Sequence, residues 1–325
     1  MNLLVVGGAG YIGSHMVWAL HQAGHRVVTF DNLSSGHRDA VLAGDVVLGD
    51  LADRVALERL FAHQRFDAVL HFASSIQVGE SVREPLRYYQ NNVANTLNLL
   101  EVMVRHRVLR LIFSSTAAIF GHPQTPLIAE SHPQHPINPY GRSKWMVEQM
   151  LADADLAHGL RSVCLRYFNA AGADALGRIG ERHEPETHLI PLVLQAASGR
   201  RTHIAVNGAD YDTADGTCVR DYIHVEDLAQ AHLLALNQLC HTDHSEAFNL
   251  GNGSGYSVAQ VIASAQRVTG CPIAVTHGPR REGDPAVLVA DSQRARDVLG
   301  WKPVYADLDT IVAHAWQWER QSLQS

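Results

Sequence analysis

Nothing narrows the possible folds of this chain more than nine residues near its N-terminus, Val5-Val6-Gly7-Gly8-Ala9-Gly10-Tyr11-Ile12-Gly13. They follow an apolar run, Leu3 to Val6, that reads as a strand. They open a helical pattern from Tyr11 to Ala23 that stops at Gly24. Glycine at 7 permits a tight turn. Glycine at 10, with Tyr11 and Ile12 after it, lets backbone N–H groups approach a pyrophosphate, and glycine at 13 allows close helix–strand packing. Asp31 ends the next strand, 18 residues after Gly13, with Asn32 beside it. A carboxylate there suits an adenosine ribose hydroxyl and repels a 2′-phosphate, which points to NAD rather than NADP.

The pattern that begins there continues. Arg26 to Phe30, Asp45 to Leu48, Ala68 to Phe72, Leu109 to Ser114 and Arg161 to Leu165 are short apolar, β-branched runs separated by helical stretches. Runs of this kind suit strands buried on both faces of a parallel sheet, so the expectation is an α/β, doubly wound (Rossmann) fold. After Asn169 the texture changes. Ala170 to Glu186 is rich in glycine, alanine and charge and reads as irregular, and shorter elements follow to Trp318. With 325 residues the chain has material for two units. We place the boundary near 168–175, giving a dinucleotide-binding domain over 1–169 and a smaller α/β substrate domain over 170–325, with some later segments free to rejoin the first.

Composition excludes several classes of partner. The net charge is −7 and no Lys/Arg run offers a surface for nucleic acid or an anionic membrane. No stretch reaches the roughly 20 apolar residues of a membrane span. The N-terminus runs straight into a strand, and Cys164, Cys218, Cys240 and Cys271 are scattered without a C-x-x-C pair. A cytoplasmic, reducing setting is expected. Among the 20 histidines, His132/His135 and His241/His244 are closely spaced, but neither pair has a zinc-like ligand set around it. Both pairs are read as solvated surface histidines, and no metal is expected.

The chemistry rests on Tyr140-Gly141-Arg142-Ser143-Lys144. Asn138 is a good N-cap and Pro139 suits the first helical position, so a helix should run to about Gly159. Tyr140 and Lys144 then share a face. A phenol with an ordinary pKa of about 10 needs a nearby cation to act as a base near neutrality, which Lys144 can supply. Ile112-Phe113-Ser114-Ser115-Thr116 ends a strand and sets hydroxyls, Ser114 and Thr116 among them, at the carboxyl edge of the sheet. Thr116 can bind the hydroxyl that Tyr140 deprotonates. Ligands of such sheets lie outside the strand ends, so Asp50-Leu51 is expected near the adenine and Phe72-Ala73 near the diphosphate.

Together these motifs resemble the extended short-chain dehydrogenase/reductase superfamily and, within it, the UDP-glucose (UDP-galactose) 4-epimerases. The likeness runs from the glycine turn to Leu299-Gly300-Trp301. It includes Val78-Gly79-Glu80-Ser81-Val82, Leu165-Arg166-Tyr167-Phe168-Asn169, Arg220-Asp221-Tyr222-Ile223-His224-Val225 and Arg280-Arg281-Glu282-Gly283-Asp284. The resemblance implies Asn92 and Tyr167 beside the cofactor and Asn169 on the sugar nucleotide. It implies Arg220 and Arg281 on the diphosphate and Asp284 on a ribose. His188, with Leu189 next to it, stands where some members have asparagine, Asn207 where an aromatic commonly lies by the uracil, Ile76 where some have lysine, and Leu288 lines the sugar pocket. A UDP-hexose substrate, tightly bound NAD and a homodimer built on helices from Tyr88 to Arg105 and Pro139 to His158 follow as expectations. A nucleotide-sugar dehydratase would need a carboxylate pair after Thr116, where Ala117 and Ala118 stand. A non-catalytic NAD-binding Rossmann protein would have no need of Tyr140 and Lys144 together.

Overall fold

A computed structural model describes residues 1–281 and 284–322. Glu282 and Gly283 of the Arg280–Asp284 motif lie outside the described residues. The chain runs β1 (Asn2–Val6), α1 (Tyr11–Gln22), β2 (Arg26–Asp31), β3 (Asp45–Leu48), α2 (Arg54–His63), β4 (Ala68–His71), α3 (Val78–Arg83), α4 (Pro85–Tyr88), α5 (Asn95–Arg105) and β5 (Arg110–Thr116). Then follow α6 (Pro139–His158), β6 (Arg161–Tyr167), β7 (Asn169–Ala171), α7 (Leu189–Ala197), β8 (Ile204–Asn207), β9 (Val219–Arg220), β10 (Tyr222–His224) and α8 (Val225–His241). The rest is β11 (Glu246–Leu250), β12 (Tyr256–Ser257), α9 (Val258–Thr269), β13 (Val275–Gly278), β14 (Val287–Leu288), α10 (Gln293–Leu299) and α11 (Leu308–Ser322).

Seven parallel strands form the main sheet in the order β11-β6-β5-β4-β1-β2-β3. Strand period two sends Leu3 and Val5 into one core with Leu20 and Leu228, and Leu4 and Val6 into another with Leu57 and Leu99. Both faces are covered, so each strand reads as an unbroken apolar run. The order reverses between β1 and β4, where Val6 pairs with His71. At that switch point the two strand ends diverge and leave a crevice, into which the glycine turn and Phe72-Ala73 emerge.

Three departures from the sequence reading have clear causes. The region after 170 is not made only of short elements, since α8, α9 and α11 run 17, 12 and 15 residues. Of these, α8 packs against α1 on the main sheet, and β11 joins that sheet beside β6. Strand neighbours so far apart in the chain are chosen by which edge remains open, a fact that local pattern does not carry. The expected helix over Tyr88–Arg105 is interrupted by a turn of π-helix at Tyr89–Ala94. There the extra residue turns Asn92 inward, where it is 2% exposed. His132 is not a surface residue. It is 8% exposed, accepts a hydrogen bond from Gln124 N at Nε2 and stands edge-on to Phe120. His135, His241 and His244 are exposed.

A separate core gathers Ile190, Val193, Ile204, Val206, Val261, Ile311 and Val312 from α7, β8, α9 and α11. Small sheets β12-β9-β14 and β13-β8 accompany it. They bring Arg220 and Leu288 side by side in register.

Candidate active site

The glycine turn is shaped from within the chain. Gly7 has φ +80°, and a Cβ on it would collide with the backbone of Ala73. At Gly10 a Cβ would meet only Gly7 O, at 3.5 Å. The protein's own packing therefore leaves room at Gly10, and α1 starts immediately after it with N–H groups that have no partner within the helix. Asp31, 8% exposed, accepts from Ala9 N at 2.9 Å and from Leu33 N at 2.8 Å, tying the end of β2 to the turn. Asn32 donates to Asp50 at 2.7 Å, and Asn98 holds the carbonyl of the buried Leu51. Tyr11 sends its hydroxyl away to Gly172 O at 2.7 Å, so its backbone N–H is what it leaves at the turn, while Ile12 packs on the core. Phe72 N and Ala73 N both bond Val6 O. Asn92 joins two elements: it donates to Ser75 O at 2.9 Å and to Ser143 Oγ on α6 at 3.0 Å.

Helix α6 begins as its sequence dictates. Asn138 accepts from Gly141 N at 2.8 Å, Pro139 occupies the first position, and Gly159 ends the helix with left-handed φ. This fixes Tyr140 and Lys144 on one face, opposite the end of β5. Lys144 is 2% exposed, donates to Ser114 O at 2.7 Å and lies 4.9 Å from the centre of the Phe113 ring. Burial pushes its ammonium down to about 7, against a smaller upward pull from Glu148. Burial raises the Tyr140 phenol, and its hydrogen bond with Thr116 opposes that rise. The sequence argument gave the activating role to the lysine charge. In the structure the ammonium is turned to the Ser114 carbonyl, and Thr116 is the group that favours the phenolate. Helical spacing sets the shared face but not where a four-carbon stem delivers its charge. Tyr167 and Ser114 share a short hydroxyl–hydroxyl hydrogen bond, and burial drives the Tyr167 phenol upward.

Sequence reasoning missed the support beneath this set. Glu148 continues the line Tyr140, Lys144 at the same spacing of four. It accepts from Ser115 Oγ at 2.5 Å and from Arg166 Nη2 at 2.6 Å and Nε at 3.0 Å, with both partners of the ion pair almost enclosed. The signal was a third polar residue on the helix face that should be apolar.

The residues expected on the sugar nucleotide come from the other lobe. Asn169 bonds Asp221 O through both N and Nδ2, at 3.0 Å each. Arg220 pairs with Asp284 and also bonds Val219 O. The Asn207 amide oxygen, oriented by its neighbours, accepts from Arg281 Nε and Nη2 at 3.1 Å. Leu288 packs on Ala117, Ile119, Phe120 and Ile128, directly beyond Thr116. Leu189 opens α7, and Ile76 is exposed. His188 lies against Glu181 and Glu186, which lift its imidazole to about 10 despite burial. The structure thus brings Thr116, Tyr140 and Lys144 together at the crevice and pairs Arg220 and Asn207, at the ends of β9 and β8, with Asp284 and Arg281.

Known proteins match this arrangement along its whole length. The model of the NAD dependent epimerase/dehydratase family matches residues 3–251. The UDP-glucose 4-epimerase of Rhizobium leguminosarum bv. trifolii is 52% identical over 323 residues, covering 99% of this chain and 98% of that protein. The crystal structure of UDP-glucose 4-epimerase from Brucella ovis in complex with NAD superposes with TM-score 0.95 at 50% identity, covering 97% of each chain. The UDP-Glc/GlcNAc 4-epimerase of Campylobacter jejuni superposes with TM-score 0.87 at 44% identity, covering 98% and 99%.

Proposed function

The chain belongs to the NAD dependent epimerase/dehydratase family, and we propose that it interconverts UDP-glucose and UDP-galactose by transient oxidation at C4, with NAD retained throughout. The observation that carries this reading is the placement of Thr116, Tyr140 and Lys144 at the carboxyl edge of the sheet, beside the glycine turn. The turn fits the cofactor: Gly10 has space on its open side, unpartnered N–H groups stand at the start of α1, and Asp31 and Ala73 flank the crevice. Bound there, NAD supplies the hydride acceptor and donor at C4. Asn92, Ser114 and Tyr167 line the same crevice on the side of α6.

Tyr140 Oη takes the proton of the sugar 4-hydroxyl and later returns it. Thr116 holds that hydroxyl and favours the phenolate. Lys144 keeps the Ser114 end of β5 in place. Inversion requires the 4-keto sugar to present its other face before C4 is reduced again and the proton goes back to its oxygen, so the chain must grip UDP firmly and the hexose loosely. Arg220 and Arg281 suit the diphosphate as bidentate cations. Asp284, Asn169, Asn207, His188 and Leu189 suit the nucleoside and sugar around it. The substrate lobe comprises most of 170–325, with α8 and β11 given back to the dinucleotide lobe. A dehydratase is disfavoured because Ala117 and Ala118 follow Thr116, and a purely binding protein because Tyr140 and the buried Lys144 stand together on one face of α6.

Leu288 widens the reading. A leucine there leaves room that a larger side chain would fill, which favours partial acceptance of UDP-N-acetylhexosamines. Exposed Val78, Val82, Leu86, Leu97 and Met146 on α3 to α6 support a homodimer through these helices. Four free cysteines support a reducing, cytoplasmic setting.

The test is UDP-galactose turnover without added reductant. Tyr140→Phe should lower kcat by about 10²–10⁴-fold with the fold and NAD content unchanged. Near-normal turnover of that variant would remove Tyr140 as the base.

A further inference from the structure

Between β7 and α7 the chain gathers four ligand-capable side chains that the reaction above does not need as a group. One atom each of Glu181, His183, Glu186 and His188 lies within 4.8 Å of all the others. His183 Nδ1 is 3.1 Å from Glu181 Oε1 and 3.8 Å from Glu186 Oε2. His188 Nδ1 is 2.6 Å from Glu181 Oε1 and 3.3 Å from Glu186 Oε1. Both carboxylates are nearly enclosed, at 5% and 6% side-chain exposure.

We propose that these four residues form a binding site for a divalent transition metal ion, zinc being the best fit. Two imidazoles and two carboxylates are a ligand set for that class of ion. With ligand distances of about 2.1 Å, a tetrahedral site has edges of roughly 3.4 Å; the imidazole–carboxylate separations run from 2.6 to 3.8 Å, and all four ligand atoms lie within 4.8 Å of one another. Without an ion the two carboxylates keep both imidazoles protonated, and one divalent ion taking the place of those two protons leaves the cluster's charge unchanged at zero. The Nδ1 atom of His188 is a second pointer: it is buried and 2.6 Å from Glu181 Oε1 without a well-aligned hydrogen bond. Outer contacts hold the ligands: Glu186 Oε1 accepts from Thr187 N at 2.7 Å and His188 N at 2.9 Å.

Four protein ligands leave no open position, so the ion acts as a clip and not as a Lewis acid on substrate. What it clips is visible. The His183 ring stands edge-on to Tyr11 of the glycine turn, 6.3 Å between centres. Arg182, inside the cluster's sequence, pairs with Asp39 beyond β2, and His37 reaches the Arg182 carbonyl. The other end of the cluster, His188, leads directly into α7. The ion would thereby fasten the segment that crosses the glycine turn to the first turn of the substrate lobe.

The test uses full-length, untagged protein stripped with a chelator and titrated with Zn²⁺ against a chromophoric competitor. One equivalent should bind at micromolar Kd or tighter and raise Tm by a few degrees. The His183→Asn/Glu186→Gln variant should lose that equivalent, and the surface control His241→Asn/His244→Asn should keep it. Uptake by the wild type no tighter than by the first variant would overturn the proposal, as would equal loss in the control. Should the first variant fail to fold, Co²⁺ added to the wild type decides: intense visible d–d bands mark a tetrahedral N/O site, and a weak octahedral spectrum sinks it.

Discussion

The two sides of the crevice hold their functional groups by different means. On the dinucleotide side the groups are buried and bonded largely to backbone: Lys144 to Ser114 O, Asp31 to Ala9 N and Leu33 N, Asn92 to Ser75 O. On the substrate side they hold one another. Arg220 pairs with Asp284 and Arg281 with Asn207, and Arg220 and Asp284 keep 13% and 28% of their side chains exposed. Backbone contacts do not reorganise without local unfolding, whereas partly solvated ion pairs exchange partners at little net cost. One wall is therefore rigid and suits a permanently held cofactor. The other can trade an internal carboxylate or amide for a ligand's phosphate and suits a substrate that must enter, turn and leave.

Removing the most buried group should break this contrast most severely. Lys144→Met is expected to lower kcat by about 10³-fold, measured as UDP-galactose turnover, because the Ser114 carbonyl loses its donor and the end of β5 its anchor. The same variant carries a pH signature. The folded-state value of Lys144, about 7, lies below the ordinary 10.5, so the unfolded chain binds the extra proton between these limits. The penalty for burying the ammonium is fully present below pH 7 and relieved as pH rises. The urea midpoint of the wild type should gain on that of Lys144→Met between pH 7 and 9.5, and parallel midpoints would remove the burial argument.

On the exchangeable wall the effect should be smaller and of another kind. Arg220→Met is expected to raise KM for UDP-galactose by about 10–100-fold, the worth of one charge-assisted contact, with kcat largely kept, the mark of uniform binding lost. A fall in kcat with unchanged KM would place Arg220 in the chemistry instead. The mildest change concerns shape alone. Leu288→Tyr should reduce turnover of UDP-N-acetylglucosamine by about 10-fold or more relative to UDP-glucose, since a few kcal/mol is what pocket size discriminates. Equal losses on both sugars would mean that Leu288 does not set breadth.

How much could be read in advance differs along the same line. The glycine turn, Asp31 and the Asn138–Lys144 helix start were legible because each depends on neighbours within a few residues: a positive φ, an N-cap, a shared helix face. The inward turn of Asn92, the Glu148–Arg166 pair under Lys144 and the burial of His132 were not, because each depends on what another element places opposite it. Glu181, His183, Glu186 and His188 are near in sequence, yet a spacing of two, three and two matches neither a helix face nor a strand face, so only the path of the backbone shows that they converge.

By itself the amino-acid order determined the parallel sheet, the dinucleotide turn and the tyrosine–lysine helix, since turn geometry, capping and two-faced burial are properties of short segments. The tertiary structure alone decided that β11 closes the sheet beside β6. It also decided that Lys144 meets the Ser114 carbonyl and that Arg220 meets Asp284, 64 residues away. Such choices are energies of contact between distant surfaces, and they exist only once packing has brought those surfaces together.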